Sequence, residues 1–230
     1  TLGLDALETG LKIFPLSVSL ILFSIAGTRL SNRWSPRRIV RVGQLVLVFS
    51  AVLLLGSVTV DLRHGLFAVG MFLAGAALGL LASQLGNVNM SSVTAKQTSE
   101  VGGLQGVFQN LGSSLGTALV GSILIGALTT SFAAGAASSP LPAEARAVVA
   151  EETQRGVAIV LASSVPEIAE KAGLSVADAE TLETVYRDSQ LASLRVALFG
   201  LIVIALLSLL FSRGIPNEVL GRKRSPETVP

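Results

Sequence analysis

Apolar residues run through the chain in five long blocks, near residues 11–28, 39–57, 66–88, 104–128 and 192–212, with polar or charged segments between them. About 20 apolar residues cross the hydrocarbon core of a bilayer as a helix. The pattern therefore predicts an all-α, polytopic membrane protein with five transmembrane helices. Pro15 lies in the first block, and glycines crowd the third and fourth. Membrane helices tolerate such residues where neighbouring helices re-satisfy the backbone.

The polar segments predict the orientation. Arg29, Arg33, Arg37, Arg38 and Arg41 fall within thirteen residues, with no acid among them. One arginine at the centre of a membrane helix costs roughly 2.5–3.5 kcal/mol on insertion scales, so five hold this turn in the cytoplasm. The next segments are nearly neutral: 58–65 carries Asp61 and Arg63, and 89–103 carries Lys96 and Glu100. Alternation then places 129–190, with nine acids against four bases, outside. The tail from 213, with Arg213, Arg222, Lys223 and Arg224, falls inside. Basic residues gather on the cytoplasmic side at both ends, as the positive-inside rule requires. Lys12 and Arg195 sit at outer span ends, where long cationic side chains snorkel to the interface.

The expected organisation is four transmembrane helices in 1–128, an external helical loop in 129–190, a last span in 191–212 and a cytoplasmic tail in 213–230. Within the loop, 133–140 (Ala-Ala-Gly-Ala-Ala-Ser-Ser-Pro) reads as a flexible linker. Pro142 opens a predicted helix running through Val148, Val149 and Val157 to Leu161, and Ser164 with Pro166 starts a short one that Gly173 ends. Ser175 and Asp178 form a capping box for a helix that passes Tyr186 and enters the last span.

Composition narrows the function classes. Half the residues are hydrophobic, 14% are charged, and the mean hydropathy is +0.68. The net charge of +2 is distributed by topology, which leaves no basic face for nucleic acid. With no cysteine and one histidine, His64, thiolate chemistry is excluded, little remains for a zinc site, and no metal or cofactor is expected. Gly112-Ser113-Ser114-Leu115-Gly116 satisfies Gly-x-Ser-x-Gly, but it lies in a span instead of at a strand-to-helix elbow, and the histidine is in an external loop. Small residues at this spacing are a helix-contact pattern. No enzyme is expected.

The segment Gly27-Thr-Arg29-Leu-Ser-Asn32-Arg33-Trp-Ser35-Pro-Arg37-Arg38 resembles the cytoplasmic loop signature of the major facilitator superfamily, Gly-x-x-x-Asp-Arg-x-Gly-Arg-Arg. Gly27, Arg33, Arg37 and Arg38 match. Asn32 and Ser35 replace the aspartate and the second glycine, as in the weaker copy of the second half of these proteins. Residues 2–15, with Asp5, Glu8 and Pro15, are similar to the start of the preceding helix in the fourteen-helix drug:proton antiporter branch. Residues 87–126, with Gly102-Gly103-Leu-Gln105 and Asn110-Leu-Gly112-Ser-Ser-Leu-Gly116, are similar to its penultimate helix. A long external loop before the last helix is typical of that branch.

The resemblance covers essentially the whole chain and implies the last five helices of a multidrug efflux antiporter, an incomplete C-terminal six-helix bundle in the plasma membrane with a cytoplasmic C-terminus. Chain start and span count fit a fragment. Such a transporter works by alternating access of two halves, so the implied partners are the lipid bilayer, the absent N-terminal bundle, a small amphipathic substrate and the proton. This chain alone is not expected to transport. The alternative is a non-transporting membrane module that binds a partner through its external helices.

At 100° per residue, Gly102, Gln105, Gln109, Gly112, Ser113 and Gly116 share one stripe of the fourth span, and Leu104, Val107, Leu111, Leu115 and Ala118 take the other side. Amides are costly against lipid, so Gln105 and Gln109, with Gln84 and Asn87 of the third span, are candidates either for a substrate cavity or for interhelical hydrogen bonding. Gly75, Gly79 and Gly86 are expected to form a packing seam on the opposite face of the third span. No carboxylate lies mid-span, which places a proton-carrying group of the implied transporter in the absent half. Glu100 is the gating candidate, through Lys96 or the arginine turn; an acid at an exposed helix N-terminus is the plainer reading. Gly27, Asn32, Arg33, Arg37 and Arg38 are either a topology signal or a cytoplasmic charge network that stabilises one access state.

Overall fold

The computed structural model describes residues 6–58, 64–91, 98–154, 157 and 159–215. Helices dominate: α1 (Ala6–Leu30), α2 (Pro36–Ser57), α3 (His64–Ser91), α4 (Thr98–Ser138), α5 (Ala143–Gln154), α6 (Val165–Lys171) and α7 (Val176–Phe211). Single 3₁₀ turns, Ala162–Ser164 and Ser212–Gly214, lead into α6 and follow α7. No strand occurs among the described residues. Among the described residues five helices are long and apolar enough to cross a membrane, and each coincides with one of the five predicted spans over most of its length. Pro15 is accommodated inside a continuous α1.

The chain divides into two compact units, and the division falls within α4 and α7. One unit contains Ala6–Ser57, His64–Ser113 and the chain from Ile202; the other contains Val58 and Ser114–Leu201.

In the first unit α3 packs against both α1 and α2. Glycine permits the close approach to α1. A Cβ on Gly79 would lie 2.5 Å from the Leu20 carbonyl oxygen and 2.8 Å from the Ser24 nitrogen, and one on Gly75 would strike the Leu16 carbonyl and the Ser19 hydroxyl. Side chains at these two positions would force the helices apart. Phe23 and Phe72 meet edge to face at 6.1 Å. Toward α2, Ser50 Oγ donates to the Gly70 carbonyl at 2.8 Å, and Gly70 lies under Leu54. The predicted seam is therefore found at Gly75 and Gly79; the surroundings of Gly86 lie outside the described residues.

In the second unit Leu128, Ala136, Leu141, Ala145, Val149, Val165, Ala169, Ala179, Leu182 and Tyr186 build a continuous apolar core, with Phe132 edge to face on Tyr186. The helical segments of the 129–190 region thus bury a core of their own. Two expectations are corrected. The predicted linker at 133–140 is helical as far as Ser138. Alanine is the best helix former, and Gly135 is held against Val185, whose Cγ1 would lie 2.8 Å from an added Cβ.

The second correction concerns α5, which ends at Gln154 and does not continue to Leu161. The backbone of Val160 is bound elsewhere: its N–H donates to Tyr186 Oη at 3.0 Å, and its carbonyl accepts from Gln190 Nε2 at 2.9 Å. The remaining local predictions hold. Gly173, at φ +85°, follows the short α6 in a conformation that favours glycine. Ser175 Oγ accepts from the Asp178 N–H at 3.3 Å and donates to Asp178 Oδ2 at 2.6 Å, which starts α7; the helix then runs unbroken past Tyr186 to Phe211.

Candidate functional site

The arginine turn is a hydrogen-bonded polar feature of the first unit. Residues 31–35 reverse the chain between α1 and α2 in overlapping hydrogen-bonded turns, with Arg33 and Trp34 both donating to the Leu30 carbonyl. Ser35 is buried, its backbone carbonyl accepts from the N–H groups of Arg38 and Ile39 at the start of α2, and Pro36 occupies the first position of that helix.

Below the turn, Gln84 of α3 is 1% exposed. Its Nε2 donates to the Gly27 carbonyl at 3.2 Å, to Ser31 Oγ at 3.1 Å and to Ser83 Oγ at 2.9 Å, while Ser31 Oγ approaches Oε1 at 3.3 Å. The Gly27 carbonyl also accepts from Ser31. A Cβ on Gly27 would come within 2.9 Å of Ser83 Cβ, so the signature glycine is a contact point between α1 and α3. Gln84 is therefore engaged in tying the end of α1 to α3. The side chain of Asn87 lies outside the described residues.

The five arginines separate into two groups. Arg29, Arg33 and Arg38 are exposed, as is Asn32. Arg37 Nε donates to the Ile215 carbonyl at 2.7 Å and its Nη2 to the Arg213 carbonyl at 2.6 Å. Arg41 Nε donates to Ser212 Oγ at 3.2 Å, and one turn further on Gln44 Nε2 donates to Ser208 Oγ at 2.7 Å. Two guanidinium groups thus face the C-terminal end of α7, where unpaired carbonyls carry partial negative charge. This ladder was not anticipated from sequence. Its signal was present as an i, i+4, i+7 polar row (Arg37, Arg41, Gln44) and an i, i+4 pair (Ser208, Ser212) in otherwise apolar helices.

The polar stripe of α4 has a different setting. Gln105 is part-buried and Gln109 exposed, and a Cβ added to Gly102, Gly103, Gly106, Gly112 or Gly116 would meet nothing within 4 Å. The other side is equally open, with Phe108 65% and Leu115 70% exposed. Glu100 is exposed in the first turn of α4; Lys96 is outside the described residues. Ser113 and Ser114 are exposed in mid-helix, with no strand or elbow beside them. In the second unit, Arg195 Nη2 donates to the Val58 carbonyl at 2.7 Å, a more specific role than snorkelling.

No family profile matches the chain, and no solved structure matches it. One likeness to a characterised protein is informative. It is to an efflux pump. Over 120 residues the chain is 27% identical to the multidrug efflux pump SdrM of Staphylococcus aureus (strain N315). The matched stretch is 52% of this chain and 26% of that protein, so the chain spans about a quarter of the relative it matches. Together with the five apolar helices, this likeness describes a multi-pass helical membrane protein related to a transporter.

Proposed function

We propose that this chain is the C-terminal part of a major facilitator superfamily secondary transporter that exports amphipathic organic compounds by alternating access, coupled to protons. The observation that carries the reading is the likeness to a multidrug efflux pump. The arginine turn, with Gly27, Arg33, Arg37 and Arg38 in the spacing of the facilitator signature, supports it independently of overall identity. On this reading the membrane is the plasma membrane, and the turn and the C-terminus are cytoplasmic.

The open stripe of α4 fits the proposal. A membrane helix whose small and amide-bearing face is unfilled can take up a second bundle, and Gln105 and Gln109 are then the groups that line the substrate path. Gln84 acts instead as the tie between α1 and α3, on the strength of its four short contacts. Glu100, at the same end of α4 as the stripe, is proposed to set cytoplasmic gating. The ladder from Arg37 and Arg41 to the end of α7 is the charge network that holds one access state.

The test is transport by the longest in-frame protein containing this chain, expressed in cells depleted of other efflux pumps. Expression is expected to lower accumulation of several unrelated amphipathic dyes, with collapse of the proton gradient restoring it. Gln105→Ala and Gln109→Ala are expected to change the dye profile at unchanged protein level, and Glu100→Gln to slow export. Dye accumulation unaffected by expression removes the transporter reading. A profile indifferent to both glutamines removes the cavity assignment alone, and an unchanged rate in Glu100→Gln removes the gating role.

A further inference from the structure

Three arginines of the turn take no part in the ladder to α7. Arg29, Arg33 and Arg38 are exposed, and no hydrogen bond or ion pair engages their guanidinium groups among the described residues. No acid occurs between Glu8 and Asp61, so nothing in this stretch of chain compensates the cluster.

The helix decides where Arg38 stands. While Arg37 and Arg41 turn toward α7, Arg38 heads a different row of α2, with Val42, Leu45, Phe49 and Val52 at i+4, i+7, i+11 and i+14. These four apolar side chains are between 38% and 57% exposed. At about 1.5 Å per residue the row is about 20 Å long, enough to line one leaflet of about 15 Å. Arg29 repeats the arrangement on the other side of the turn, four residues after the exposed Ile25. Between them stands Trp34, also exposed, and tryptophan settles at the headgroup level of a bilayer. An exposed apolar row of this length in a membrane chain meets acyl chains, and the guanidinium at its end then lies at the depth of the phosphate esters.

The charge selects the headgroup. Guanidinium groups grip phosphate oxygens through parallel N–H donors. A zwitterionic lipid offers the same phosphate but brings an ammonium group, which three uncompensated arginines repel; an anionic lipid brings none. Topology alone explains why the arginines share one side of the membrane, but it does not require one of them to cap an exposed apolar row.

We propose that the outer face of the arginine turn binds an anionic phospholipid, with its phosphate on Arg33 and Arg38 beside Trp34 and an acyl chain along Val42, Leu45 and Phe49. Arg29 adds charge without sharing that row. The site lies within the first unit, and its occupation requires no transport step.

Trp34 is the chain's single tryptophan, which makes its fluorescence a reporter at the site. Bromine quenches indole emission only at short range. The experiment places the full chain in nanodiscs that mix phosphatidylglycerol with phosphatidylcholine, one or the other brominated near the ester end of its chains, and compares the two series for relative affinity at Trp34. Phosphatidylglycerol is expected to be preferred about fivefold or more, the effect of one arginine at an anionic surface. Raising the salt should shrink that preference. Arg33→Gln combined with Arg38→Gln is expected to bring the ratio close to one, while quenching by phosphatidylcholine stays at the level of the unaltered chain and shows Trp34 still in place. Arg38→Lys, the milder change, should retain part of the preference. Arg146→Gln, which removes an equal charge from the second unit, should retain all of it. Equal affinity for the two lipids overturns the proposal, as does a preference that survives the double variant or that Arg146→Gln lowers to the same extent. Release of the brominated lipid by inorganic phosphate at constant ionic strength would assign the cluster to a soluble anion and overturn it too. Both leaflets of the nanodisc carry the same lipids, so neither the orientation of the chain nor the transporter reading affects the result.

Discussion

The Arg37 guanidinium donates from Nη2 to the Arg213 carbonyl oxygen at 2.6 Å, a contact between residues 176 positions apart in sequence. A second donation, from Nε to Ile215 at 2.7 Å, makes the grip bidentate. Positive charge here compensates carbonyls that the helix leaves unpaired at its C-terminus. Charge-assisted bonds of this kind contribute about 1.5–3 kcal/mol. Arg37→Gln is expected to raise amide hydrogen exchange over the last turn of α7 by about ten- to a hundredfold. Arg37→Lys should recover only part of the protection, since a point charge cannot supply two donors in a fixed fork. Exchange unchanged in both variants would show that the end of α7 is held by other contacts.

Gln84 gives a second prediction. Replacing it by leucine keeps the volume but removes the donors to Gly27, Ser31 and Ser83. Interhelical polar contacts in membranes are worth about 0.6–1.7 kcal/mol, so Gln84→Leu is expected to destabilise the protein by roughly that amount in reversible unfolding from mixed micelles. Ser31→Ala should cost less and add little to the leucine variant, because both remove one network.

The glycines separate into two classes that a stability series will distinguish. Gly79→Ala places a methyl against α1 backbone, which cannot yield cheaply, and is expected to cost about 1–3 kcal/mol or more. Gly112→Ala and Gly116→Ala, with open space around them, should be neutral or stabilising by up to about 1 kcal/mol through helix propensity. If the α4 face receives a second bundle in a longer protein, the same alanines should impair export there while leaving this chain's stability intact.

Topology has a direct readout. A reporter active only outside the cytoplasm is expected to be active when fused after Ser139, between α4 and α5, and silent when fused at Trp34 in the arginine turn. The opposite pattern would reverse the orientation proposed for every helix.

A pH prediction follows from α6, where Lys171 Nζ donates to Glu167 Oε1 at 2.7 Å. The bond and the charge of Lys171 hold the Glu167 carboxyl below its ordinary value, and Glu167 raises Lys171 in return. A lowered acid pKa stabilises the folded state above the ordinary glutamate value, about 4.3, and the contribution disappears as pH falls through the lowered one. The pair is exposed, so the effect is confined to α6. Carboxyl NMR titration of Glu167 should give a midpoint below that of an unpaired glutamate, and Lys171→Met should return it to the ordinary range.

Much of the helical framework was legible in the sequence because membrane solvation imposes length and composition on each element. Blocks of about 20 apolar residues have few alternatives to helix, and the capping box at Ser175 and the turn at Gly173 depend on chemistry within a few residues. The errors arose where local signals compete with packing. The alanine-rich stretch after Phe132 reads as a linker when glycine, serine and proline are weighed, yet it continues α4 because Gly135 has Val185 to pack against. Val157 to Leu161 reads as helix until Tyr186 and Gln190 claim the backbone of Val160.

The site residues show the same boundary. Sequence alone picks out the anomalous residues of an apolar chain: the five arginines and the amides at 84, 105 and 109, which are costly in lipid, and the glycine rows, which give up side-chain packing. What each polar group meets depends on how the helices pack. Packing bound Gln84 between α1 and α3, turned Arg37 and Arg41 toward the end of α7 while leaving Arg29, Arg33 and Arg38 exposed, and left the α4 stripe open. Helical periodicity assigns a residue to a face, but a hydrogen-bond partner more than 50 or 170 residues away is fixed by how helices pack, which no local pattern encodes.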